Sequence, residues 1–290
     1  MASRQLRTVL EGGRFFEAPR WHEGAWWTSD FYRHGVYRVT PDGEATRVVE
    51  VEGQPSGLGW LPDGSLLISS MKDRRVLRLA DGELTTHCDL SGHAIGDLND
   101  MVVDANGHAF VGEFGRLGAT PAEDTLVTLK RVAPDGTYSP AAEGLHFPNG
   151  MAVSADGRTL LVGESRGRRY SAFDLAADGT LSNRRFWAEL DEGQVPGQTR
   201  VVPDGCTLDA EGHLWVADTL SDRFVRLAPG GRIVEEIALS DGLHSYACAL
   251  GGEDGRTLLL AVGRTHGPEA RDGDAMLLAT EVEVPHAGLP

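Results

Sequence analysis

The sequence is short of positive charge and of long apolar runs. Its 290 residues contain 27 Lys and Arg against 43 Asp and Glu, which gives a formal net charge of −16. Nucleic acids and anionic membrane surfaces are bound by clustered cations, so this balance argues against both partners. No stretch approaches the roughly 18 apolar residues that a membrane helix needs. We therefore expect a protein whose partner is a small molecule.

Cysteine is equally scarce. The three residues of this type, Cys88, Cys206 and Cys248, lie far apart and form no C-x-x-C pair. An odd and scattered set fits neither a disulfide framework nor a thiolate zinc site. Residues 1–13 lack the apolar run of a signal peptide. The expected location is the cytoplasm, with all three thiols reduced.

Glycine is abundant, with 37 residues, and much of it belongs to a repeated turn motif. In four segments a small or polar residue stands eight positions before a turn glycine: Ser56 before Gly64, Asn99 before Gly107, Asn149 before Gly157 and Asp204 before Gly212. A shorter first copy begins at Glu17, and a degraded sixth copy contains Ala247. The copies are about 40 to 55 residues apart, and short alternating runs joined by D-G turns within them indicate hairpins.

Six copies of about four short strands predict an all-β fold, a six-bladed β-propeller with four-stranded blades around a central channel. Residues 1–290 would form a single domain. The alternating N-terminal run that begins at Gln5 is expected to pair within the last blade. That pairing would close the ring and remove an exposed sheet edge.

The repeat also predicts a ring of side chains, because the innermost strand of every blade faces the channel. The equivalent positions carry Glu17, Ser56, Asn99, Asn149, Asp204 and Ala247, with Glu17 one residue out of register. Two carboxylates and two amides on one axis offer oxygen ligands to a divalent cation. The alternative is that Asn and Asp in P-N-G and P-D-G tripeptides only make turn hydrogen bonds.

A second acidic series follows the turn glycines. Asp30, Glu113 and Asp218 lie six residues after them, and Glu164 lies one residue further on. We expect these carboxylates to anchor the next hairpin through hydrogen bonds to its backbone, without a chemical role.

Four motifs carry a resemblance to a known family. In chain order they are Glu17-Ala18-Pro19, Leu98-Asn99-Asp100-Met101, Phe147-Pro148-Asn149-Gly150-Met151 and Pro203-Asp204-Gly205. The chain resembles the gluconolactonase and regucalcin (senescence marker protein) family over about residues 14–282. The resemblance implies a six-bladed propeller that holds one catalytic divalent metal and hydrolyses lactones.

The resemblance also implies roles for individual residues. Glu17, Asn149 and Asp204 would be the metal ligands, with Asp204 as general base, and Asn99 would contact the substrate or a water on the metal. The metal would polarise the lactone carbonyl and lower the pKa of water. Ligation by oxygen alone favours Ca²⁺, and also Mg²⁺ or Mn²⁺, although Zn²⁺ accepts carboxylates as well.

One departure concerns the substrate. Sugar-lactone members similar to regucalcin carry an arginine two residues before the substrate asparagine, where this chain has Asp97. An aspartate only accepts hydrogen bonds, which puts a gluconolactone-type substrate in doubt. Asp97 and His146 are nevertheless predicted, with Asn99, to be the substrate-binding residues of the mouth. Bulky residues near these positions would suit a less polar or aromatic lactone or ester if they line the mouth, and otherwise they pack between blades: Phe15, Phe16, Trp21, Phe114, His146 and Phe147.

Other functions remain open on the sequence alone. Gly163-Glu164-Ser165-Arg166-Gly167 matches the G-x-S-x-G motif of serine esterases, but that motif works at a strand-to-helix turn, and here a strand is predicted to follow. The same scaffold could perform a strictosidine-synthase-like condensation or hydrolyse phosphotriesters. It could also bind a ligand without catalysis, because a fold does not determine function.

Overall fold

The computed structural model describes residues 4–116, 126–240, 242–265, 267 and 269–288. In this part of the chain there are twenty-four β-strands, a single 3₁₀ turn at Phe31–Arg33 and no α-helix. The strands are β1 (Arg7–Gly13), β2 (Phe16–His22), β3 (Ala25–Asp30), β4 (Gly35–Val39), β5 (Ala45–Glu50), β6 (Pro55–Trp60), β7 (Leu66–Ser70), β8 (Arg75–Ala80), β9 (Glu83–Asp89), β10 (Leu98–Val103), β11 (Ala109–Glu113), β12 (Leu126–Val132), β13 (Tyr138–His146), β14 (Pro148–Val153), β15 (Thr159–Glu164), β16 (Arg169–Leu175), β17 (Leu181–Glu189), β18 (Pro203–Leu208), β19 (Leu214–Asp218), β20 (Arg223–Leu227), β21 (Ile233–Ala238), β22 (His244–Gly251), β23 (Thr257–Gly263) and β24 (Ala275–Glu281). Among the described residues, no helix has the length and apolar character needed to cross a membrane.

The described strands form six antiparallel sheets of four. Five sheets are consecutive meanders that begin with β2, β6, β10, β14 and β18, and the sixth has the order β1-β24-β23-β22. The first strands of the sheets contact one another in sequence, and β22 returns to β2, so the sheets close into a ring. The predicted six-bladed propeller is confirmed. The strand β1 contributes the outer edge of the sixth blade, where it pairs with β24.

The hydrophobic core lies between neighbouring blades. Between the fifth and sixth blades, for example, Trp215 and Phe224 pack with Leu258 and Leu260, all of them fully or almost fully buried. The alternation of each strand supplies these apolar faces. Burial of one such side chain contributes about 1.5 to 3 kcal/mol, so the repeated inter-blade clusters hold the ring together.

The innermost strands share an irregularity at the predicted ring positions. In the fourth blade Pro148 pairs with Glu164 and Met151 pairs with Val162, so two residues of β14 oppose one residue of β15. The same interruption occurs in the second, third and fifth blades. A β-bulge of this kind turns side chains out of the regular alternation. It therefore explains how Asn149 can project into the channel mouth.

Close approach of the inner strands accounts for the glycine that follows the ring position in three copies. A Cβ atom on Gly150 would lie 2.3 Å from the carbonyl oxygen of Asp204, and one on Gly57 would lie 2.2 Å from the amide nitrogen of Met101. No side chain fits at such distances. In the third blade the corresponding residue is Asp100, and its side chain forms an ion pair with Arg20 of the first blade.

We call the second acidic series the outer acids: Asp30, Glu113, Glu164 and Asp218, each at the end of the second strand of its blade. All four accept backbone hydrogen bonds, as predicted. The prediction that they anchor the following hairpin is confirmed for Asp30 and Asp218, which accept from Arg33 N and Leu220 N. Each outer acid also binds the segment that leads into the innermost strand of its own blade, through the donors Arg14 N, Ile95 N, His146 N and Val202 N.

Three outer acids also pair with basic side chains. Glu113 pairs with the fully buried Lys130, Asp218 with Arg223 at 2.9 Å, and Glu164 with Arg169 at 2.8 Å. Burial alone would raise the pKa of Glu164, but hydrogen bonds from Arg169, from a serine hydroxyl and from the backbone lower it overall. The outer acids are thus buried carboxyl groups with protein partners, although for Asp30 burial raises the pKa more than its backbone donors lower it.

Candidate active site at the channel mouth

The structure brings four of the six predicted ring residues together, and Ser56 and Ala247 are not among the described residues that line the cavity at the channel mouth. Glu17, Asn99, Asn149 and Asp204, from the first, third, fourth and fifth blades, line one cavity of about 320 Å³. Glu17, Asn99 and Asn149 are buried, and Asp204 keeps partial exposure. Four short motifs that are distant in sequence therefore form one polar surface.

Glu17 lies in β2 with only 6% of its surface exposed. Its carboxylate accepts a hydrogen bond from the neighbouring Ala18 N at 3.0 Å. Burial raises the pKa of Glu17 well above its ordinary value, and the charges of Asp204 and Asp100 raise it further. No basic side chain forms an ion pair with Glu17 among the described residues. The anionic form of Glu17 is therefore costly unless a cation approaches it.

Asp204 is the second carboxylate of the cavity. Burial raises its pKa to about 8, and the charge of Asp100 adds to the effect, while the Asn149 amide and the Gly205 N–H oppose it. The described residues provide no ion pair for Asp204 either. We call Glu17 and Asp204 the inner acids. Their raised pKa values share two causes, burial in the protein interior and the charge of the neighbouring Asp100.

A third buried carboxylate near the channel is already neutralised. Asp100 accepts a hydrogen bond from Arg20 Nη2 at 2.8 Å, and Arg20 also donates to the carbonyl oxygens of Pro19 and Met101. The sequence motif contained Asp100 but gave no sign of this partner, because the two residues are 80 positions apart and belong to different blades. Among the described residues that line the cavity, the two inner acids are the carboxylates without an ion pair.

The two amides are oriented differently. Asn149 donates from Nδ2 to the Ser165 hydroxyl at 3.2 Å, which leaves its Oδ1 as an acceptor. Asn99 is 4% exposed, and its buried Nδ2 has no hydrogen-bond partner in the part of the chain that is described. An unsatisfied buried N–H group costs about 1 to 3 kcal/mol. A ligand oxygen that accepts from Asn99 would relieve this cost.

Asp97 and His146 are not among the described residues that line the cavity. The Asp97 carboxylate accepts a hydrogen bond from the half-exposed Lys72 ammonium at 2.5 Å. His146 is partly buried, and its backbone N–H donates to Glu164. Burial lowers the pKa of His146, and the nearby arginines 169 and 184 lower it further. The partners of both residues thus lie outside the cavity.

The aromatic candidates divide into two groups. Phe15, Phe114 and Phe147 line the cavity, whereas Phe16 and Trp21 pack between the first and sixth blades. The structure adds lining residues that belong neither to the predicted ring nor to the aromatic candidates: Phe31, Ser165, Arg166, Val202 and Thr219. They come from loops that converge at the mouth, and single-sequence patterns do not show which loops meet.

The G-x-S-x-G motif does not form a nucleophile elbow. Ser165 follows β15 and precedes the turn into β16, so the motif joins two strands rather than a strand and a helix. Its hydroxyl donates to the Pro203 carbonyl at 2.6 Å and accepts from Asn149. The prediction of a strand after this motif is confirmed, and Ser165 supports Asn149 at the cavity wall.

The donor set of the cavity fits a hard divalent cation. Among the described residues, no cluster of three or more His, Cys, Asp or Glu side chains could hold a metal ion. A metal site would therefore need an amide ligand, and Asn149 lines the same cavity as the two inner acids. Carboxylate and amide oxygens are the ligands that Ca²⁺ and Mg²⁺ prefer. Three protein ligands would leave coordination positions open.

Known proteins resemble this chain over most of its length. A pentonolactonase of Haloferax volcanii is 28% identical over 217 residues, which cover 73% of this chain and 69% of that protein. Regucalcin of Xenopus laevis is 26% identical over 263 residues, 88% of this chain and 85% of its own. A 6-deoxy-6-sulfogluconolactonase of Pseudomonas putida is 24% identical over 282 residues, 94% and 93% of the two chains.

A solved structure of regucalcin from Agrobacterium tumefaciens, described as a calcium-binding protein, superposes with a TM-score of 0.81 at 20% identity and covers 100% of this chain and 99% of its own. At that identity the likeness shows the shared fold. Residues 15–264 match the SMP-30/gluconolactonase/LRE-like region, which confirms the resemblance seen in the sequence motifs. Because this match spans most of the chain, the protein belongs to the SMP-30/gluconolactonase/LRE-like family.

Proposed function

We propose that the protein is a lactonase that hydrolyses a small lactone in the cavity at the channel mouth. The observation that carries the proposal is the pair of inner acids, Glu17 and Asp204, which have raised pKa values and no paired basic side chain among the described residues. Strongly perturbed carboxylates in a cleft are typical of functional sites. The relatives named as lactonases support the same reaction.

Glu17, Asn149 and Asp204 would hold one divalent cation, for which Ca²⁺ is the first candidate and Mg²⁺, Mn²⁺ and Zn²⁺ are alternatives. When bound, such a cation polarises a carbonyl group and lowers the pKa of water. The carboxylates supply two negative charges in a protein interior where Asp100 is already paired with Arg20. The charge of the site therefore matches a single divalent ion.

Asp204 would act as the general base. Asp204 lines the cavity, and an ionised carboxylate there can accept a proton from water and return it later. In hydrolysis the water oxygen bonds to the lactone carbonyl carbon while Asp204 takes the water proton. The ring C–O bond then breaks, Asp204 returns the proton to the alkoxide, and the product is a hydroxy acid.

Asn99 would bind the carbonyl oxygen. Its Nδ2 is buried without a partner in the described structure, so it can donate to an oxygen that gains negative charge during the reaction. A positioned donor of this kind typically contributes about 100- to 1000-fold to the rate. Asp97 and His146 take no part in the proposed mechanism.

We further propose a cytoplasmic location. Cys88, Cys206 and Cys248 are all buried free thiols, and proteins with unpaired buried cysteines are typical of reducing compartments.

Hydrolysis of a lactone panel with and without divalent cations tests the proposed function. The wild type should hydrolyse at least one lactone, lose this activity after chelation and regain it with added cation. Glu17→Gln should be inactive. Ser56→Ala is a matched control, because Ser56 occupies the same repeat position in a blade that supplies no ligand, and it should retain activity. Hydrolysis that persists after complete chelation, or in Glu17→Gln, would overturn the proposal.

A further inference from the structure

We infer that the substrate carries an aromatic or other apolar body together with a carboxylate, and that Arg166 binds this carboxylate. The inference rests on the proposed lactonase function and names its substrate class. It depends on two features of the cavity beyond the inner acids: the apolar walls and the single cation among the described lining residues.

The walls of the cavity are aromatic. Phe15 and Phe31 stack with ring centroids 5.0 Å apart, and Phe114 and Phe147 are tilted against each other at 4.8 Å. The two pairs come from different parts of the ring, the first blade and the loops that flank β12 and β13. Val202 adds a further apolar contact. Polar hydroxyl groups of a sugar would lose hydration against these walls without gaining partners there.

Arg166 is the one cationic side chain among the described residues that line the cavity. It lies in the turn between β15 and β16, with its guanidinium 5.7 Å from the Phe147 ring centroid. Its Nη1 donates to the carbonyl oxygen of Arg116 at 3.4 Å. Stacking on an aromatic face orients a guanidinium and leaves its edge available to an anion.

Arg166 differs from the neighbouring arginines in its lack of a carboxylate partner among the described residues. In the same turn Arg168 pairs with Asp191 at 2.9 Å and Arg169 pairs with Glu164 at 2.8 Å. Among the described residues no carboxylate pairs with Arg166. In a protein with a net charge of −16, an arginine without an acidic partner at a cavity wall is suited to an anionic ligand, and a carboxylate matches the guanidinium geometry best.

The backbone beside Arg166 supports the same interpretation. Phe147 has a positive φ of 58°, a conformation that is uncommon for an aromatic residue and costs of the order of 1 kcal/mol. Its carbonyl accepts a hydrogen bond from Ser165 N at 3.1 Å, which ties the Phe147 segment to the Arg166 turn. The strained backbone thus holds an aromatic wall and the cation next to each other.

Asp97 of the third blade supplies no positive charge to the cavity, and its carboxylate is engaged by Lys72 outside it. The cation of this cavity therefore comes from the fourth blade rather than the third. Because the Arg166 guanidinium lies above the Phe147 ring, a ligand that carries a negative charge next to an apolar group would contact both side chains.

Steady-state hydrolysis of three compounds tests the inference: a phenyl-substituted γ-lactone with a carboxylate, the same lactone with a carboxamide, and an aldonolactone. Arg166→Gln should raise KM for the carboxylate compound and reduce its kcat/KM by about 10- to 100-fold, as expected for a charge-assisted hydrogen bond. Turnover of the carboxamide should change by less than about threefold. Arg158→Gln is the matched control, because this exposed arginine precedes β15 at its other end.

Binding of a ketone analogue, in which a methylene replaces the ring oxygen, separates this inference from the proposed function because it requires no hydrolysis. Calorimetry should show tight binding of the carboxylate analogue to the wild type and to Arg158→Gln, and weak binding to Arg166→Gln. If this result accompanies a failure to hydrolyse any lactone, the substrate class stands and the lactonase proposal falls. Preference for the aldonolactone, or equal effects of Arg166→Gln on carboxylate and carboxamide, would overturn the inference.

Discussion

The propeller contains two sets of buried acids that differ in what surrounds them. The outer acids accept backbone hydrogen bonds, and three of them also pair with a basic side chain, as Glu164 does with Arg169. The inner acids, Glu17 and Asp204, line a cavity and have no ion pair among the described residues. The pKa of Glu164 is lowered, whereas burial raises that of Asp204 to about 8.

The difference shows how one repeat supplies both structure and chemistry. A buried carboxylate is tolerated when the protein provides donors and a counter-charge, and it then fixes the chain around it. Where no basic side chain pairs with the carboxylate, it can bind a cation or a proton instead. The outer acids bind the segments that lead into the innermost strands of the blades, and the inner acids are the groups proposed to react.

The largest expected effect separates the sets by activity. Asp204→Asn should reduce kcat by at least about 1000-fold, because a general base contributes 100- to 10,000-fold and a cation ligand is lost as well. The free energy of unfolding of the cation-free protein should stay the same or rise, since the change removes a charge that burial disfavours. Lactone hydrolysis and urea unfolding measure the two effects. A large loss of stability without loss of activity would contradict the catalytic role of Asp204 and would indicate a structural role like that of the outer acids.

The next effect should appear in stability. Glu113→Gln leaves Lys130, which is fully buried, without its anion, and removal of one partner of a buried ion pair typically costs about 3 to 5 kcal/mol. The folded fraction should retain its kcat. The control is the double variant Glu113→Gln with Lys130→Met, which removes both charges and should recover much of the stability in the same urea titration. Equal losses in the single and double variants would contradict the pairing argument.

Asp204 of the inner acids and Glu164 of the outer acids should also respond to pH with opposite signs. In the cation-free protein the folded-state pKa of Asp204 is about 8, above its unfolded value, so the folded state binds more protons and stability falls as pH rises from about 4 to about 8. Between pH 5 and 7 this one group contributes up to about 2.7 kcal/mol. For Glu164 the folded pKa is lowered, so its contribution is present above the unfolded pKa and is lost as pH falls.

Thermal unfolding from pH 4 to 9 in the presence of a chelator measures both trends. Asp204→Asn should flatten the decline toward pH 8, and Glu164→Gln should flatten the decline toward pH 4. Identical pH profiles for the wild type and Asp204→Asn would mean that this carboxyl group does not titrate abnormally.

The smallest effect concerns an acid that belongs to neither set. Asp97 pairs with Lys72, whose side chain is 54% exposed, and exposed ion pairs contribute only about 0.2 to 1 kcal/mol. Asp97→Asn should therefore change the free energy of unfolding by less than about 1 kcal/mol and kcat/KM by less than about twofold. A change in KM above tenfold would place Asp97 at the substrate after all.

The repeat predicted the blades and the members of the ring, because the spacing between a ring position and its turn glycine is set locally by hairpin geometry. The contacts between blades could not be predicted in the same way. The pair of Arg20 with Asp100 spans 80 residues, and the role of Arg166 depends on which loops converge at the mouth. The hydrogen bonds between the outer acids and the segments that lead into the innermost strands could not be predicted for the same reason. The bond from Ile95 N to Glu113, for example, also depends on tertiary structure.

Calorimetric titration of Ca²⁺ into chelator-treated protein near pH 7 tests the central claim most directly. We expect one ion to bind per chain, with release of protons because the inner acids have raised pKa values. Binding should be lost in Glu17→Gln and retained in Ser56→Ala. Two results would contradict the proposed cation site. One is that the wild type binds neither Ca²⁺ nor another divalent cation, and the other is that tight binding survives in Glu17→Gln.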